Sequence, residues 1–473
     1  MSDGVNDAGA GGVNDDMKDI VDGVGASAGG ASVTGSVDAV GAPSGAGLRA
    51  RPKGPGLASA IPSRADHSEI KRNNLEVVLR HLSLAGPDSR AAIAARAGLT
   101  RATVSRLVAE LVALGLVRET GTERTRRVGR PGTRLELDGR HVLALGAEIN
   151  VDYIAVIGLD LAGREVHSTR LPFDAVAAGP GRSVTELARL CGRAAKLLAR
   201  RGAGRPLVVA GLAVAVPGLV DAADGVVTHA PNLHWTGIPV GGRLRELLAL
   251  GDAPVIVGND ANLGAIAEYR VGAHAGTGNL VYVTGEVGIG GGVIAGGRLL
   301  LGSRGYGGEI GHMRVDPDGP RCGCGRHGCW EARIGLSALL NTMGAAPAPE
   351  RTSGEKTPES KVAAVVAQAR AGDARTLAAL DDLGRWVGVG AANLANIFNP
   401  QAIILGGYFG QIAEWILAPA RQALSEGVLA PGAGGCELTT SVLGFTAAAR
   451  GGALHVIDQV VSNPPRLAGA PPQ

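Results

Sequence analysis

Apolar residues recur with a helical period from about Glu69 onward. Leu75, Val78, Leu79 and Leu82 stand at i, i+3, i+4 and i+7, the spacing of one buried helix face. Gly86-Pro87 ends that run. Ser89 is placed to cap a second helix through Ala97, with Ile93 and Ala97 inward, and Gly98 makes the turn. Thr100 is placed to cap a third helix, with Val104, Leu107, Val108 and Leu111 on its inner face and Gly115 at its end. The period then switches to two: residues 116–120 and 133–137 alternate like the strands of a hairpin. A helix, a helix-turn-helix and a wing, in that order, predict a winged helix-turn-helix.

Further along, residues 141–161 and 165–171 read as strands, and 184–201 as an amphipathic helix. Residues 207–216 read as a buried strand, 255–258 and 280–283 as short strands with a helix from Asn262 between them. Residues 386–398 read as a helix and 402–405 as a strand. Strands alternating with helices predict an α/β architecture. The Ala-Pro-rich stretch 345–360 reads as a loop or linker. Residues 1–63 show no sustained period and no aromatic residue, so they are expected to be a disordered tail that cannot offset its ordering entropy. A chain of 473 residues is too long for one core. The reading divides it into a tail (1–63), a DNA-binding domain (64–140), an α/β domain (141–460) and a disordered tail (461–473).

Charge sharpens that division. Residues 64–140 carry fifteen Lys/Arg against nine Asp/Glu, whereas residues 1–63 carry four against seven and the remainder is neutral. A basic segment beside a neutral bulk predicts an anionic partner for that segment, here double-stranded DNA. The third helix would lie in the major groove and present Arg101, Ala102, Thr103, Ser105 and Arg106, since Val104 and Leu107 point inward. Arginine can bond guanine in two places, and Ser and Thr reach bases or phosphates. The wing holds Arg124, Arg126 and Arg127, then Gly129-Arg130-Pro131-Gly132, a slim extended arm that would lay Arg130 into a minor groove with Arg127 beside it. A solvated basic loop is the plainer alternative for the wing. No signal-peptide pattern and no apolar run long enough to span a membrane is visible, so a cytoplasmic, nucleoid-associated protein is expected.

The densest chemistry lies at His312 and in Cys322-Gly-Cys324-Gly-Arg-His-Gly-Cys329-Trp-Glu331. One imidazole and three thiols can close a tetrahedral Zn²⁺ shell with no open position, which describes a structural metal. His327 is a second imidazole within the cluster. Cys191 and Cys436 lie far from it and read as buried thiols, and a thiolate site without a disulfide pattern fits a reducing compartment.

Gly308-Glu309-Ile310-Gly311-His312 followed by this cysteine run resembles the zinc signature of the ROK family (repressors, open reading frames, kinases). The resemblance extends from about Arg64 to Asp458, and a Gly-Arg-Pro wing is similar to that of the family's repressors. It implies a two-lobed actin-like, sugar-kinase-like (ribonuclease H-like) domain after the winged helix, and selects His312 over His327 as ligand with Cys322, Cys324 and Cys329. It also implies sugar contacts at Asn232, Asn259, Asp260, Glu309, His312 and Glu331, residue types that suit hydroxyls which both donate and accept. Asp260 stands where the family's kinases hold their catalytic base.

The phosphate loops depart from the kinase pattern. Where those kinases read Asp-x-Gly-Gly-Thr, this chain reads Glu148-Ile149-Asn150-Val151-Asp152; where they read Gly-Thr-Gly-x-Gly-Gly-Gly, it reads Glu286-Val287-Gly288-Ile289-Gly290-Gly291-Gly292. Side chains and two acids now stand where a triphosphate needs bare backbone N–H groups. Leu405-Gly406-Gly407 of the adenosine side survives. The expectation is a non-catalytic regulator, more a repressor than an activator, answering to a monosaccharide or sugar phosphate and acting as a homodimer or homotetramer. An active glucokinase-like enzyme with an added head, and a regulator answering to a protein with a vestigial pocket, are the alternatives.

Overall fold

The structure, a computed structural model, describes residues 67–122, 133–199, 207–344 and 358–464. The N-terminal head comprises α1 (His67–Ala85), β1 (Asp88–Ser89), α2 (Arg90–Ala97), α3 (Arg101–Ala113), β2 (Val117–Thr122) and β3 (Thr133–Leu137). Its caps are those the sequence predicts. Ser89 Oγ accepts from the Ala92 N–H and Thr100 Oγ1 from the Thr103 N–H, each satisfying a donor that the helix leaves unpaired. Gly98 closes α2 in the left-handed region at φ 65°. Val104, Leu107, Val108 and Leu111 are all buried. On α2 the buried pair is Ile93 and Ala94; Ala97 is only half-buried, because the Gly98 cap already turns the chain toward α3 there. β2 and β3 pair antiparallel with Val117 opposite Leu137, and β1 joins the other edge of β3.

The first lobe of the body contains β4 (Val142–Ile149), β5 (Tyr153–Asp160), β6 (Glu165–Pro172), α4 (Ala175–Ala199) and β7 (Val208–Val216). It continues with β8 (Leu219–Asp221), β9 (Val226–Ala230), β10 (Trp235–Ile238), α5 (Val240–Leu247), β11 (Val255–Asn259) and α6 (Asp260–Val271). The run read as one strand over 141–161 is two, turned at Asn150–Asp152. Its main sheet has the order β11-β7-β4-β5-β6, while β8–β10 form a small sheet of their own.

The second lobe contains β12 (Leu280–Gly285), β13 (Ile289–Ala295), β14 (Arg298–Leu299), α7 (Glu331–Ile334), α8 (Leu336–Thr342) and α9 (Pro358–Arg370). α10 (Ala374–Phe398), β15 (Ala402–Gly407), α11 (Phe409–Gly427), β16 (Glu437–Thr440) and α12 (Ala447–Ser462) complete it. Its sheet order, β14-β13-β12-β15-β16, repeats the first: a central strand with antiparallel neighbours on one side and parallel ones on the other. The β4–β5 and β12–β13 turns therefore occupy equivalent places in the two lobes.

α12 returns from the second lobe to pack on α6, β4 and β7. The approach is close: a Cβ at Gly451 would strike the Leu263 carbonyl, and one at Gly146 the Ala449 carbonyl. Leu75, Leu79 and Leu82 of α1 share one apolar cluster with Leu263 and Ile266 of α6 and with Ile457 and Val460 of α12. The head thus has no core separate from the body. Arg270 of α6 donates to Ser83 Oγ of α1 at 3.1 Å and pairs with Asp458 of α12, lining the same junction with polar contacts.

Candidate functional site

A cleft of about 630 Å³ opens between the lobes. Its first-lobe wall comes from strand ends. Asn232 sits on a 3-10 turn, Pro231–Leu233, ended by His234 at φ 58°. Asn259 ends β11 and caps α6: its Oδ1 accepts from the Asn262 N–H at 3.0 Å and its Nδ2 donates to the Gly218 carbonyl at 3.0 Å. That cap starts α6 at Asp260, two residues before the expected Asn262. Asp260 Oδ1 accepts from the Ala261 N–H at 2.8 Å, and burial, reinforced by the charge of Glu309, pushes its carboxyl up to about 6.

The second-lobe wall carries Glu309, His312 and Glu331. Burial is also the main cause that raises Glu309, with Glu331 adding to it and His312 opposing it. Glu331 Oε2 accepts from the Ile289 N–H at 2.9 Å, while its Oε1 accepts from the Cys322 thiol at 3.5 Å. One carboxyl therefore ties the cleft to the cysteine loop. Gly288 is bare for a reason: a Cβ there would meet Glu331 Oε2 at 2.6 Å and Asn232 Nδ2 at 3.2 Å. All six residues expected to touch a sugar line this one cleft. His229, Thr284 and Arg326 line it too, and the sequence did not announce them. A lone histidine at the exposed position of a half-buried strand and a threonine inside a buried one carry no local signal, although His229 lies just before the Ala230-Pro231-Asn232 motif.

Beside Glu331, the ligand atoms of His312, Cys322, Cys324 and Cys329 all lie within 4.8 Å of one another. Cys322 Sγ is 3.7 Å from His312 Nδ1, and Cys324 Sγ is 3.6 Å from Cys329 Sγ. Tetrahedral Zn–S bonds of about 2.3 Å set sulfur atoms roughly 3.8 Å apart, so these spacings fit a metal ion. His327 turns instead toward the Gly319 carbonyl at 3.3 Å. His312 also lines the cleft. With Nδ1 on the sulfur side, its other ring nitrogen remains for a ligand.

The far end of the cleft is acidic. Asn150 Nδ2 donates to Glu148 Oε1 at 3.2 Å and to Glu286 Oε2, and so bridges the β4–β5 and β12–β13 turns. Tyr153 Oη donates to Glu148 Oε1 at 2.6 Å. Burial pushes Glu148 up to about 7; burial and the charge of Glu148 raise Glu286. Val287 is exposed at the tip of its turn.

In the head, Arg101, Ser105 and Arg106 are exposed on one side of α3, and Thr103 is half-buried. Thr103 Oγ1 lies 2.9 Å from Thr100 Oγ1, which ties it to the cap. Arg101 and Arg106 enter no ion pair among the described residues. Arg127, Arg130 and the rest of the wing loop between β2 and β3 lie outside the described residues.

A profile described as ROK family matches residues 146–459, and one described as MarR family matches residues 77–128. The xylose repressor of Bacillus subtilis (strain 168) is 31% identical over 405 residues, covering 83% of this chain and 97% of the repressor. A crystal structure of a ROK family transcriptional regulator, a homolog of the E. coli MLC protein, superimposes with a TM-score of 0.67 at 27% identity, covering 83% of this chain and 97% of that one. The ROK family glucokinase from Streptomyces griseus, in complex with glucose and AMPPNP, superimposes with a TM-score of 0.52 at 28% identity. That match covers 66% of this chain and 98% of the kinase.

Proposed function

This chain belongs to the ROK family, and within it we propose a sugar-responsive DNA-binding transcriptional repressor without kinase activity. The observation that carries this reading is the extent of the similarity. The repressor relative is matched through head and body alike, over 97% of its length, whereas the glucokinase accounts for only 66% of this chain. Residues 64–140 act as the DNA-binding unit and 141–460 as the effector unit, whose last helix, α12, runs on to Ser462 and so takes in the first two residues of the stretch read as a tail.

Arg101, Thr103, Ser105 and Arg106 face the major groove, with Arg127 and Arg130 of the wing against the neighbouring groove. A homodimer or homotetramer places paired heads on a pseudo-palindromic operator, in the cytoplasm at the nucleoid. Asn232, Asn259, Asp260, Glu309, His312 and Glu331 bind the hydroxyls of a monosaccharide or sugar phosphate. Zn²⁺, held by His312, Cys322, Cys324 and Cys329, is structural: four protein ligands leave no place for a reactive water, and the ion fixes His312 against the cleft.

Asp260 takes the place of a kinase base, but the nucleotide grip beside it is gone. Asn150 and Val151 line the cleft where a phosphate turn needs glycine, and Glu286 adds negative charge at the opposite turn. Asp260 therefore binds a hydroxyl. Sugar drawing the lobes together moves α6, whose N-terminus carries Asp260 and whose other end reaches the head. The ligand shifts DNA binding by its difference in affinity between the two states.

The test is operator binding with and without each of a set of common sugars, run beside incubation with ATP, Mg²⁺ and hexoses. A sugar that changes operator affinity, with no sugar phosphate formed, is expected. Phosphorylation at ordinary enzymatic turnover would refute the reading.

A further inference from the structure

We propose that the effector is an unphosphorylated sugar, and that the Glu148–Glu286 carboxyl pair is the device that rejects phosphate esters from the cleft. This rests on the sugar-sensor reading and narrows its ligand.

Asn150 and Glu286 line both the cleft and a small cavity behind it, which Asp152, Tyr153, Arg170, Glu359 and Phe445 complete. They form the wall between the two spaces. Glu148 stands behind that wall, fully buried, and its Oε2 has no hydrogen-bond partner among the described residues. Tyr153 has one hydroxyl proton for three acceptors, Glu148 at 2.6 Å, the Phe445 carbonyl at 3.2 Å and Glu286 at 3.3 Å. The donors at the wall are thus fully committed to the two carboxyls. Burial raises both acids, with the charge of Asp260 adding to it at Glu148 and the charge of Glu148 at Glu286, so further negative charge at the wall is disfavoured.

The lining offers an anion little compensation, with the imidazoles of His229 and His312 and the guanidinium of Arg326 set against four carboxyls among the described residues. Asp260, Glu286, Glu309 and Glu331 all line the cleft, and no lysine does so among the described residues. Arg326, the one guanidinium at the cleft among the described residues, is exposed and directed to Cys324. Arg170 is held by Glu359 at 2.5 Å and lies 3.9 Å over the Tyr153 ring, on the far side of the wall. A helix N-terminus can hold a phosphate, yet α6 gives its first N–H groups to Asp260 and Asn259. Sugar hydroxyls both donate and accept, so they suit carboxyls in either protonation state; a phosphate dianion can only accept, and the carboxyls that line the cleft outnumber its cations.

Calorimetry of the full chain near neutral pH, with glucose, xylose and N-acetylglucosamine and with the phosphate ester of each, tests this. One free sugar is expected to bind at least about tenfold more tightly than its own ester, and Glu286→Gln to narrow that ratio. An ester bound as tightly as its parent sugar, or more tightly, overturns the filter and leaves the sensor reading standing. Binding of neither form by the wild-type chain overturns both. A ratio unmoved in a Glu286→Gln variant that melts cooperatively removes this pair as its cause.

Discussion

Glu148 is a carboxyl in a place that disfavours its charge. Burial raises it to about 7, against an ordinary carboxylate near 4.5. A folded-state pKa above the unfolded one means that its stabilisation is complete below about pH 4.5 and is lost as pH rises through about 7. Thermal stability should therefore fall between mildly acidic and mildly alkaline solution. Glu148→Gln keeps the acceptor for Tyr153 and Asn150 and puts an N–H where Oε2 now has no partner. It should raise stability on the alkaline side by on the order of 1–3 kcal/mol and flatten the profile, as read by melting across pH. A variant whose slope matches the wild type would place the proton elsewhere. At the proposed metal centre, Cys324→Ser would remove one of the four proposed ligands and should lower bound zinc per chain by elemental analysis. It should weaken sugar binding as well, because His312 loses its anchor. Full zinc content would strike Cys324 from the ligand set.

Elements differ in how openly the sequence declares them. α1 and α3 bury one face only, so a 3.6-residue period stands out and the caps at Ser89 and Thr100 can be read off. α12 buries Ala447–Ala449 and Gly451–Leu454 with only Arg450 between them, so its first half reads as a near-continuous small apolar run in which no period stands out. β13 hides its strand character in glycines because α6 presses on it: a Cβ at Gly292 would meet the Ala261 carbonyl at 2.6 Å. The small sheet β8–β10 is short and joined by turns, with nothing to separate it from loop. The candidate site was legible through spaced motifs, the Asn-Asp at a strand end and the cysteine cluster, while His229 and Thr284 needed the fold to bring them in. α3 itself is the testable element. Arg106→Ala removes a cation that is exposed and unpaired among the described residues. It should cost operator affinity about fivefold to a hundredfold and relax preference at one base pair, while sugar affinity holds. Equal affinity for the operator and for unrelated DNA in both proteins would take Arg106 out of the groove.

The whole molecule turns on how a ligand between two lobes reaches a head outside them. A head on a flexible tether could feel little of lobe closure. Here α1 shares its apolar cluster with α6 and α12, and α6 spans the distance alone, from Asp260 in the cleft to Arg270 at the head. A helix of twelve residues is stiff over that length, about 18 Å, and its contact with Gly451 leaves no slack for α12 to lag behind. Displacement at Asp260 thus arrives at Ser83 and Asp458 through one rigid body. Cutting that end should uncouple the two functions without abolishing either. In the double variant Arg270→Met, Asp458→Asn the stem of residue 270 still packs and no buried charge is left unpaired. Operator affinity without sugar and sugar affinity without DNA should each stay within about threefold of wild type, while the change in operator affinity caused by sugar shrinks at least about fivefold. Coupling that survives intact would mean that the apolar cluster carries the motion unaided, and substitution at Ile266 or Leu454 would then be the cut to make.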